Sequence, residues 1–330
     1  MIDFVVFHAE IPGSADGTDY LSMVSRFFHS AEGFHPGCRK VLLTDMSTDA
    51  AILGGGVRIE RRQIRTDELI YERLLSQQQY LQKHDASGGI VFMDADMLLN
   101  GTLDELFSRD FDVALTRRTS DEMPVNGGVI FVSQKNPRAS LSFFDTFRKI
   151  FEERFSGAKR WNGDQQALAF LVENQPAMDF KLLLLPCEEY NYTPKNYYAE
   201  AVAGVLQTKK ILHFKGLRKK YLEPFLRLKS GRAEPELSIL VKEAGANSHV
   251  RKCVHSIYDH SPECYFEVLV ADVPADEATR EDLSTHFPNL LWTDGLGAAR
   301  RAKGKRVLML NTSQRFLGEK EAPVPLKGSS

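Results

Sequence analysis

Cysteine is scarce in this chain of 330 residues, and its four copies are widely spaced. Cys38, Cys187, Cys253 and Cys264 form no Cys-x-x-Cys pair. Closely spaced cysteine pairs are typical of structural zinc sites, and dense cysteine patterns are typical of disulfide-stabilised secreted domains. The sequence favours neither class, and we expect a protein of the reducing cytoplasm.

An excess of positive charge and long apolar runs are also missing. The net charge is −2, so no overall basic field points to nucleic acid. No apolar stretch reaches the roughly 18 residues that a membrane span needs. The opening stretch MIDFVVFHAE has no basic segment, and its apolar run is too short for a signal peptide. We therefore expect an intracellular protein with no nucleic-acid partner and no transmembrane segment.

The chain does have an alternation of short apolar runs with amphipathic stretches. Its composition, 43% hydrophobic and 26% charged, can build a sizeable core. Strands are predicted at 4–7, 40–44, 89–93, 113–116 and 129–132, and helices at 20–31, 66–84, 141–155 and 165–173. Strands that alternate with helices predict an α/β fold with a mostly parallel sheet.

A second unit is predicted after a weak boundary near 229–235, where the letters SGRAEP combine Ser, Gly and Pro. Strands follow at 237–241, 266–271, 289–292 and 306–310, with helices at 250–258 and 276–287. The predicted domains are 1–230 and 231–330. The second has about one hundred residues, which is short for a complete enzyme domain. Its final letters, PVPLKGSS, indicate a loose tail.

The stretch IVFMDADMLLN at 90–100 places two carboxylates directly after an apolar strand. Ligands collect at the carboxyl ends of strands in open α/β sheets. Burying unpaired carboxylates is costly, so Asp94 and Asp96 are expected to have a partner. Hard divalent cations bind carboxylate oxygens and share themselves with phosphate. A surface turn with solvated aspartates is the alternative that these letters leave open.

Two stretches further along the chain also suit a ligand site. In MPVNGGVIFV at 123–132, Asn126, Gly127 and Gly128 precede a strand, and glycine lets backbone approach a ligand closely. A plain turn into the strand is an equally good interpretation. In WNGDQQAL at 161–168, Asp164 and Gln165 lie where a helix begins. Aspartate is a common helix N-cap, so a purely structural role is open here too.

A further stretch, KKILHFKGLRKK at 209–220, runs from an apolar pair into His213, Lys215 and Gly216. Histidine is a common ligand of transition metals such as Mn²⁺, and the nearby cations could hold a diphosphate. A structural histidine and a solvated lysine face are the alternatives.

Together these stretches resemble the GT-A glycosyltransferases, and among them glycosyltransferase family 8. The matching letters, in the family's order, are MDADMLL, VNGGVIFV, GDQQAL, LPCEEYNYTP and ILHFKG. The resemblance covers about residues 1–225. It implies a GT-A fold, which is a Rossmann-like nucleotide-diphospho-sugar transferase fold. It also implies a retaining enzyme that moves a sugar, such as a hexose from UDP, to a glycan, glycolipid or protein acceptor.

The resemblance implies a metal site. Asp94, Asp96 and His213 look like ligands of a Mn²⁺ or Mg²⁺ ion that holds the donor diphosphate. Such an ion acts as a Lewis acid and neutralises charge on the departing nucleoside diphosphate. Lys215 and Lys219 would add positive charge to the same oxygens.

The resemblance also implies roles beside the donor sugar. Asp164 would bind the hydroxyls of the sugar, and Gln165 would lie beside its anomeric carbon. Asn126 and Gly128 would approach the donor sugar and the acceptor. The residues thus assigned to donor binding are Asn126, Gly127, Gly128, Lys215, Gly216 and Lys219.

The segment 236–317 resembles the first half of a family 2 glycosyltransferase domain. RVLMLNTSQ falls where that family has its own Asp-x-Asp pair, and here the pair is missing. We therefore expect a degenerate, non-catalytic half-domain with a role in packing or in assembly of a homo-oligomer. An extension that simply caps the first domain is the alternative.

Two other functions are open. A phosphatase of the haloacid dehalogenase class also places Asp-x-Asp after a strand, but its Thr or Val two residues later is Leu98 here. A pseudoenzyme that holds a nucleotide sugar without transferring it is the second. The presence of Asp94, Asp96 and His213 argues against the pseudoenzyme. Gln165 does not decide whether the chain transfers the sugar or only holds it.

Overall fold

The computed structural model describes residues 1–11, 17–83, 88–119, 123–174, 179–194, 200, 204–229, 235, 237–242, 247–260, 266–287, 290–312, 314–316 and 324–325. The chain divides into two compact units. One consists of Met1–Thr193 with Gln207–Lys219, and the other of Pro194–Leu206 with Lys220–Ser330. The sequence-based boundary near 230 stays a prediction, and most of SGRAEP and PVPLKGSS lies outside the described residues.

The strands of the first unit were predicted only in part from the sequence. Its strands are β1 (Ile2–Phe7), β2 (Arg39–Thr44), β3 (Arg58–Arg61), β4 (Gly89–Met93), β5 (Met97–Leu99), β6 (Val113–Arg117), β7 (Val125–Ser133), β8 (Leu182–Pro186) and β9 (Ile211–His213). Seven of them form one sheet in the order β3-β2-β1-β4-β7-β6-β8. Strand β7 is antiparallel to β4 and β6, and the other pairings are parallel. The predicted α/β class with a mostly parallel sheet is confirmed.

Helices cover both faces of this sheet because its strands are apolar on both faces. The helices are α1 (Tyr20–Phe34), α2 (Leu69–Lys83), α3 (Asp104–Ser108), α4 (Pro137–Arg154), α5 (Gly163–Asn174) and α6 (Cys187–Tyr190). In β1, Val5 packs in a core with residues of α2, α4 and α5. Its neighbours Phe4 and Val6 point the other way, into a core with α1. This alternation is the period-2 geometry of a strand.

A two-stranded sheet of β5 and β9 lies at the end of β4. The two strands are antiparallel, with Met97 opposite His213. The backbone N–H of Phe214 donates to the carbonyl of Asp96 over 2.8 Å, which extends the pairing by one step. The chain thus passes from β4 through the turn Asp94–Asp96 into β5, and β9 returns beside that turn.

The second unit has its own sheet and core. Its elements are α7 (Leu222–Lys229), β10 (Leu237–Lys242), α8 (Asn247–Asp259), β11 (Phe266–Ala271), α9 (Glu277–His286), β12 (Leu290–Thr293), α10 (Gly295–Arg301), β13 (Arg306–Asn311), β14 (Gln314–Arg315) and β15 (Val324–Pro325). The parallel sheet has the order β12-β11-β10-β13. Ile239 and Val241 face a core with α8 and α9, and Leu240 faces Ala298 of α10. On the edge strand β13, Val307 and Met309 are exposed.

Several predicted elements differ from the structure by a few residues at their ends, and the helix predicted at 141–155, for example, begins at Pro137. The helix predicted at 66–84 begins as a 3₁₀ turn, Thr66–Glu68, before α2, and residue 84 lies outside the described part. The strand predicted at 129–132 starts at Val125, so Asn126, Gly127 and Gly128 lie inside β7 and not in a turn before it. The prediction that these residues precede the strand was wrong, because Val125 and Asn126 already pair with Arg117 and Thr116 of β6.

The remaining general expectations concern cysteines and membranes. Cys38, Cys187 and Cys253 are buried and free, and Cys264 lies outside the described residues. Among the helices of the described residues, none is both long and apolar enough to cross a membrane.

Candidate active site

The turn Asp94–Asp96 brings two carboxylates to the end of the central strand β4. The backbone N–H of Asp94 donates to the carbonyl of Gly128 over 2.9 Å, which holds the start of the turn against β7. Asp96 is buried, and Asp94 is half-buried. The predicted position at a carboxyl strand end is therefore correct, and the solvated surface turn does not describe it.

His213 meets these carboxylates because β9 pairs with β5. Its Nε2 lies 3.2 Å from Asp96 Oδ1 and 4.0 Å from Asp94 Oδ2. One ligand atom from each of the three residues lies within 4.8 Å of the other two. The imidazole is 4% exposed, so its polar atoms depend on partners inside the protein.

A buried hydrogen-bond relay determines which nitrogen of His213 faces the aspartates. Thr116 Oγ1 donates to the carbonyl of Asn126 over 3.0 Å, and Asn191 Nδ2 donates to Thr116 Oγ1 over 3.0 Å. The amide oxygen of Asn191 is thereby turned to His213 Nδ1, 2.8 Å away. Since an amide oxygen only accepts, Nδ1 carries a proton, and Nε2 is the ring nitrogen that faces Asp94 and Asp96.

Burial and charge give the two carboxylates different acidities. Burial raises the pKa of Asp94 above its usual value, although the guanidinium of Arg73 opposes the rise. Burial acts on Asp96 in the same direction, but the hydrogen bond and charge of His213 outweigh it and hold the pKa of Asp96 below its usual value. Two buried carboxylates and an imidazole nitrogen are a donor set that suits Mn²⁺ or Mg²⁺, so the residues present fit such an ion.

Arg73 of α2 is a site residue that the sequence analysis missed. One of its nitrogens pairs with Asp94 Oδ1 and another with Asp164 Oδ2, so it links two carboxylates that are far apart in the sequence. Ile70, Arg73, Leu74 and Gln77 line one small cavity together with Asp164. The sequence does contain a sign of this role, because Arg73 lies three positions after Ile70 on the apolar face of a helix. A charge in such a place requires a buried partner.

The glycines of β7 let two carboxylates approach the strand. Between the pairs Leu115–Ile130 and Thr116–Asn126, the residues Gly127 to Val129 have no partner in β6, which is a bulge. A Cβ atom at Gly128 would lie 2.7 Å from Asp94 Oδ2 and 3.0 Å from His213 Cε1. One at Gly127 would lie 3.0 Å from Asp164 Oδ2. The close approach of these side chains to β7 leaves little room for a Cβ atom at either glycine.

Asp164 and Gln165 lie in the first turn of α5, where the sequence analysis located them. The carboxylate of Asp164 does not cap the helix, which begins at Gly163, because it pairs with Arg73 instead. Gln165 Nε2 donates to Asn162 Oδ1 over 3.4 Å. Its Oε1 is buried and accepts no hydrogen bond from any residue that the structure describes. An orphaned buried acceptor beside a carboxylate is costly unless a ligand completes it.

Three further predicted residues follow β9. Gly216 has a φ of 63°, a left-handed conformation that favours glycine and reverses the chain after β9. Burial lowers the pKa of Lys215, and the charge of Arg118 adds to this. Lys219 donates to the hydroxyl of Tyr20 and lies 4.4 Å from the centre of its ring, and Tyr20 in turn stacks on His8.

Nearly all of these side chains line one cleft of about 1430 Å³. The cleft includes every predicted site residue except Gly127, which lines the small neighbouring cavity with Arg73 and Asp164. The lining residues named in the sequence analysis are Asp94, Asp96, Asn126, Gly128, Asp164, Gln165, His213, Lys215, Gly216 and Lys219. The structure thus brings together residues from four separate stretches of sequence, whose individual roles remain predictions.

No protein-family model and no curated protein matches this chain. Solved structures similar to it include the glycosyltransferase GlyE of Streptococcus pneumoniae TIGR4, 14% identical over 88% of this chain and 79% of that one, with a TM-score of 0.44. The galactosyltransferase LgtC, solved with donor and acceptor sugar analogs, is 15% identical over 69% of this chain and 95% of its own, with a TM-score of 0.44.

A third similar structure is a glycosyltransferase involved in the glycosylation of the major capsid of PBCV-1. It is 12% identical over 67% of this chain and 98% of its own, with a TM-score of 0.43. These identities are low and the TM-scores lie below 0.5, so the function of this chain has to be judged from its own residues.

Proposed function

We propose that the chain is a metal-dependent, retaining glycosyltransferase that moves a hexose from UDP to a carbohydrate, lipid-linked or protein acceptor. The observation that carries this proposal is the meeting of two residue sets in one cleft. Asp94, Asp96 and His213 form a donor set for a cation, and Asp164 and Gln165 offer polar groups beside it. The motif resemblance to glycosyltransferase family 8 supports the same reading.

The cation would be held by Asp94, Asp96 and His213, with the Nε2 lone pair fixed by the relay through Asn191. When bound, Mn²⁺ or Mg²⁺ supplies Lewis-acid neutralisation of the diphosphate that leaves. Mn²⁺ is the ion we favour, because an imidazole nitrogen suits it better than it suits Mg²⁺. Lys215 and Lys219 line the same cleft and would add positive charge to the phosphate oxygens.

The sugar of the donor would occupy the region between Arg73, Asp164 and Gln165. The ion pair of Arg73 with Asp164 offers both donors and acceptors to sugar hydroxyls. In transfer, the bond between the anomeric carbon and the phosphate oxygen breaks, and its electron pair leaves with UDP. A new bond forms from the acceptor oxygen, whose proton passes to the departing diphosphate. Gln165 Oε1, a buried oxygen with no hydrogen-bond partner among the described residues, would face the positive charge that develops on the sugar.

The test is UDP binding with and without Mn²⁺, measured by calorimetry on the whole chain. Asp96→Ala is expected to keep the fold and to lose the Mn²⁺-dependent part of UDP binding, because one of three ligands is gone. Asp110→Ala is the matched control, since Asp110 is exposed and pairs with Lys181 instead. Unchanged UDP affinity in Asp96→Ala, with and without Mn²⁺, would refute the metal site.

Retention of configuration is a separate expectation, because it concerns the side from which the acceptor attacks. It rests on the resemblance to glycosyltransferase family 8. An α-linked donor is expected to give an α-linked product, which NMR of the anomeric proton reads directly. A β-anomeric product from an α-linked donor would contradict the retaining assignment.

For the second unit we propose a non-catalytic role in packing or assembly. At the position of a second Asp-x-Asp pair it has Asn311 and Thr312, and its described sheet ends at that point. The partial likeness to a family 2 domain, a homo-oligomeric state and a cytoplasmic location remain predictions from the sequence.

A further inference from the structure

Trp161 is an exposed aromatic side chain in the wall of the cleft. It is 74% exposed, although it lies only three positions before the buried Asp164. Trp292, by contrast, is half-buried and donates its indole N–H to Ser284 Oγ over 3.0 Å. A tryptophan ring is one of the largest apolar surfaces a protein can bury, and its exposure inside a binding cleft therefore suggests a ligand surface.

The backbone around Trp161 forms a closely packed turn. Its N–H donates to the carbonyl of Ala158 over 3.2 Å. Asn162 adopts a φ of 59°, a left-handed conformation that is uncommon for a residue with a side chain. Gly163 is tightly packed, since a Cβ there would lie 2.6 Å from the carbonyl of Ala158 and 2.7 Å from the ring of Phe151. A turn fixed in this way presents Trp161 without the entropy loss of ordering a mobile loop.

The surroundings of Trp161 differ from the phosphate-binding part of the cleft. The carbonyl of Lys159 accepts from the N–H groups of Ile70 and Tyr71 over 3.1 and 3.2 Å, so the turn lies beside the start of α2. Thr66, Leu69 and Ile70 line the cleft there, and they are uncharged. Lys215 and Lys219 lie elsewhere along the chain, the latter against Tyr20. These uncharged side chains can contact the apolar face of a sugar, and Arg160 and Arg73, which line the same cleft, can bond to its hydroxyls.

We propose that Trp161 is the platform on which the sugar acceptor stacks, a reading that rests on the proposed glycosyltransferase function. A pyranose has one face made of C–H groups, which an indole ring covers, and its hydroxyls remain free for polar partners. Arg160 and Asn162 flank the ring and line the same cleft. Asn162 also accepts from Gln165, so the platform is joined to the residue placed beside the anomeric carbon. The acceptor class is therefore a carbohydrate or the sugar of a glycolipid, and not an unglycosylated peptide.

The experiment uses the whole chain with Trp292→Phe as background, so that Trp161 is the only tryptophan. Maltose, lactose and p-nitrophenyl β-glucoside are the probes, added in the presence of Mn²⁺ and UDP. At least one of them is expected to shift the emission of Trp161. In the background with intact Trp292, Trp161→Ala is expected to raise the acceptor KM by about tenfold or more, which corresponds to roughly 1.4 kcal/mol. Trp161→Phe keeps an aromatic face, and its acceptor KM is expected within about threefold of the parent.

UDP affinity, measured by calorimetry on the same proteins, separates the possible failures. If the parent protein does not bind UDP with Mn²⁺, the proposed function itself fails. If it binds UDP but none of the sugars alters Trp161 emission, the acceptor platform is refuted. If Trp161→Ala weakens UDP binding as much as it raises the acceptor KM, the ring belongs to the donor site, and the inference is equally overturned.

Discussion

At the scale of single residues, the proposed metal site includes an amide that is not itself a proposed ligand. Asn191 turns its oxygen to His213 Nδ1 because Thr116 occupies its nitrogen. Asn191→Leu would remove the acceptor and leave the imidazole without a fixed orientation. Loss of such a partner is expected to weaken Mn²⁺ binding by about 10–100-fold. Electron paramagnetic resonance of free Mn²⁺ measures this directly.

Two further variants test whether a loss of Mn²⁺ affinity in Asn191→Leu comes from the lost orientation of His213. Asn191→Asp keeps an oxygen toward Nδ1 and is expected to retain more Mn²⁺ affinity than Asn191→Leu. Asn174→Leu removes an exposed amide that donates to the carbonyl of Phe170 in its own helix. If Asn191→Leu binds Mn²⁺ as well as the Asn174 control, the relay does not support the ligand.

At the scale of secondary-structure elements, the bulge in β7 sets the space around the ligands. Gly128→Ala would place a Cβ 2.7 Å from Asp94 Oδ2 and 3.0 Å from His213 Cε1, so both side chains must move. Mn²⁺ affinity is expected to fall by at least about tenfold while the circular dichroism spectrum stays unchanged, since metal geometry tolerates small displacements poorly. Gly157→Ala is the matched control, because nothing lies within 4 Å of its added Cβ. Equal Mn²⁺ affinity in the two variants would contradict this account.

The sequence predicts some elements well and others poorly, for physical reasons. Strands β1, β2 and β4 are apolar runs bounded by polar residues, and their positions were correct to within two residues. Strand β3, whose letters are RIER, is an edge strand with charged side chains and carries no apolar pattern. Strands β5 and β9 have three residues each, too few to show a period.

The sequence analysis named three residues that the structure brings within 4.8 Å of one another, and it missed the residues that contact them. Asp94, Asp96 and His213 could be found because residue types and local letters suggest them. Arg73 and Asn191 could not be assigned a role, because that role depends on which distant strands and helices become neighbours. The sequence pattern alone does not give that information, because it requires the order of the strands in the sheet.

At the scale of the whole molecule, each unit has its own core, and the described residues that line the cleft belong to the first. The fragment 1–230 is therefore expected to fold and to bind UDP with Mn²⁺ within about threefold of the full chain. Calorimetry measures binding, and light scattering shows whether loss of the exposed Val307 and Met309 changes association. A folded fragment that does not bind UDP would show that the second unit contributes to the site.

The pairing of β5 with β9 also has a consequence for the order of events during synthesis. All seven strands of the large sheet have left the ribosome before His213 appears, because β9 follows β8 in the chain. The sheet and its helices can therefore form first, and the third ligand arrives at a scaffold that already exists. A cation at the proposed site would then bind late, and we expect that it does not nucleate folding. A chelator should then abolish binding of the donor and leave the protein folded, unlike the zinc fingers that unfold when their metal is removed.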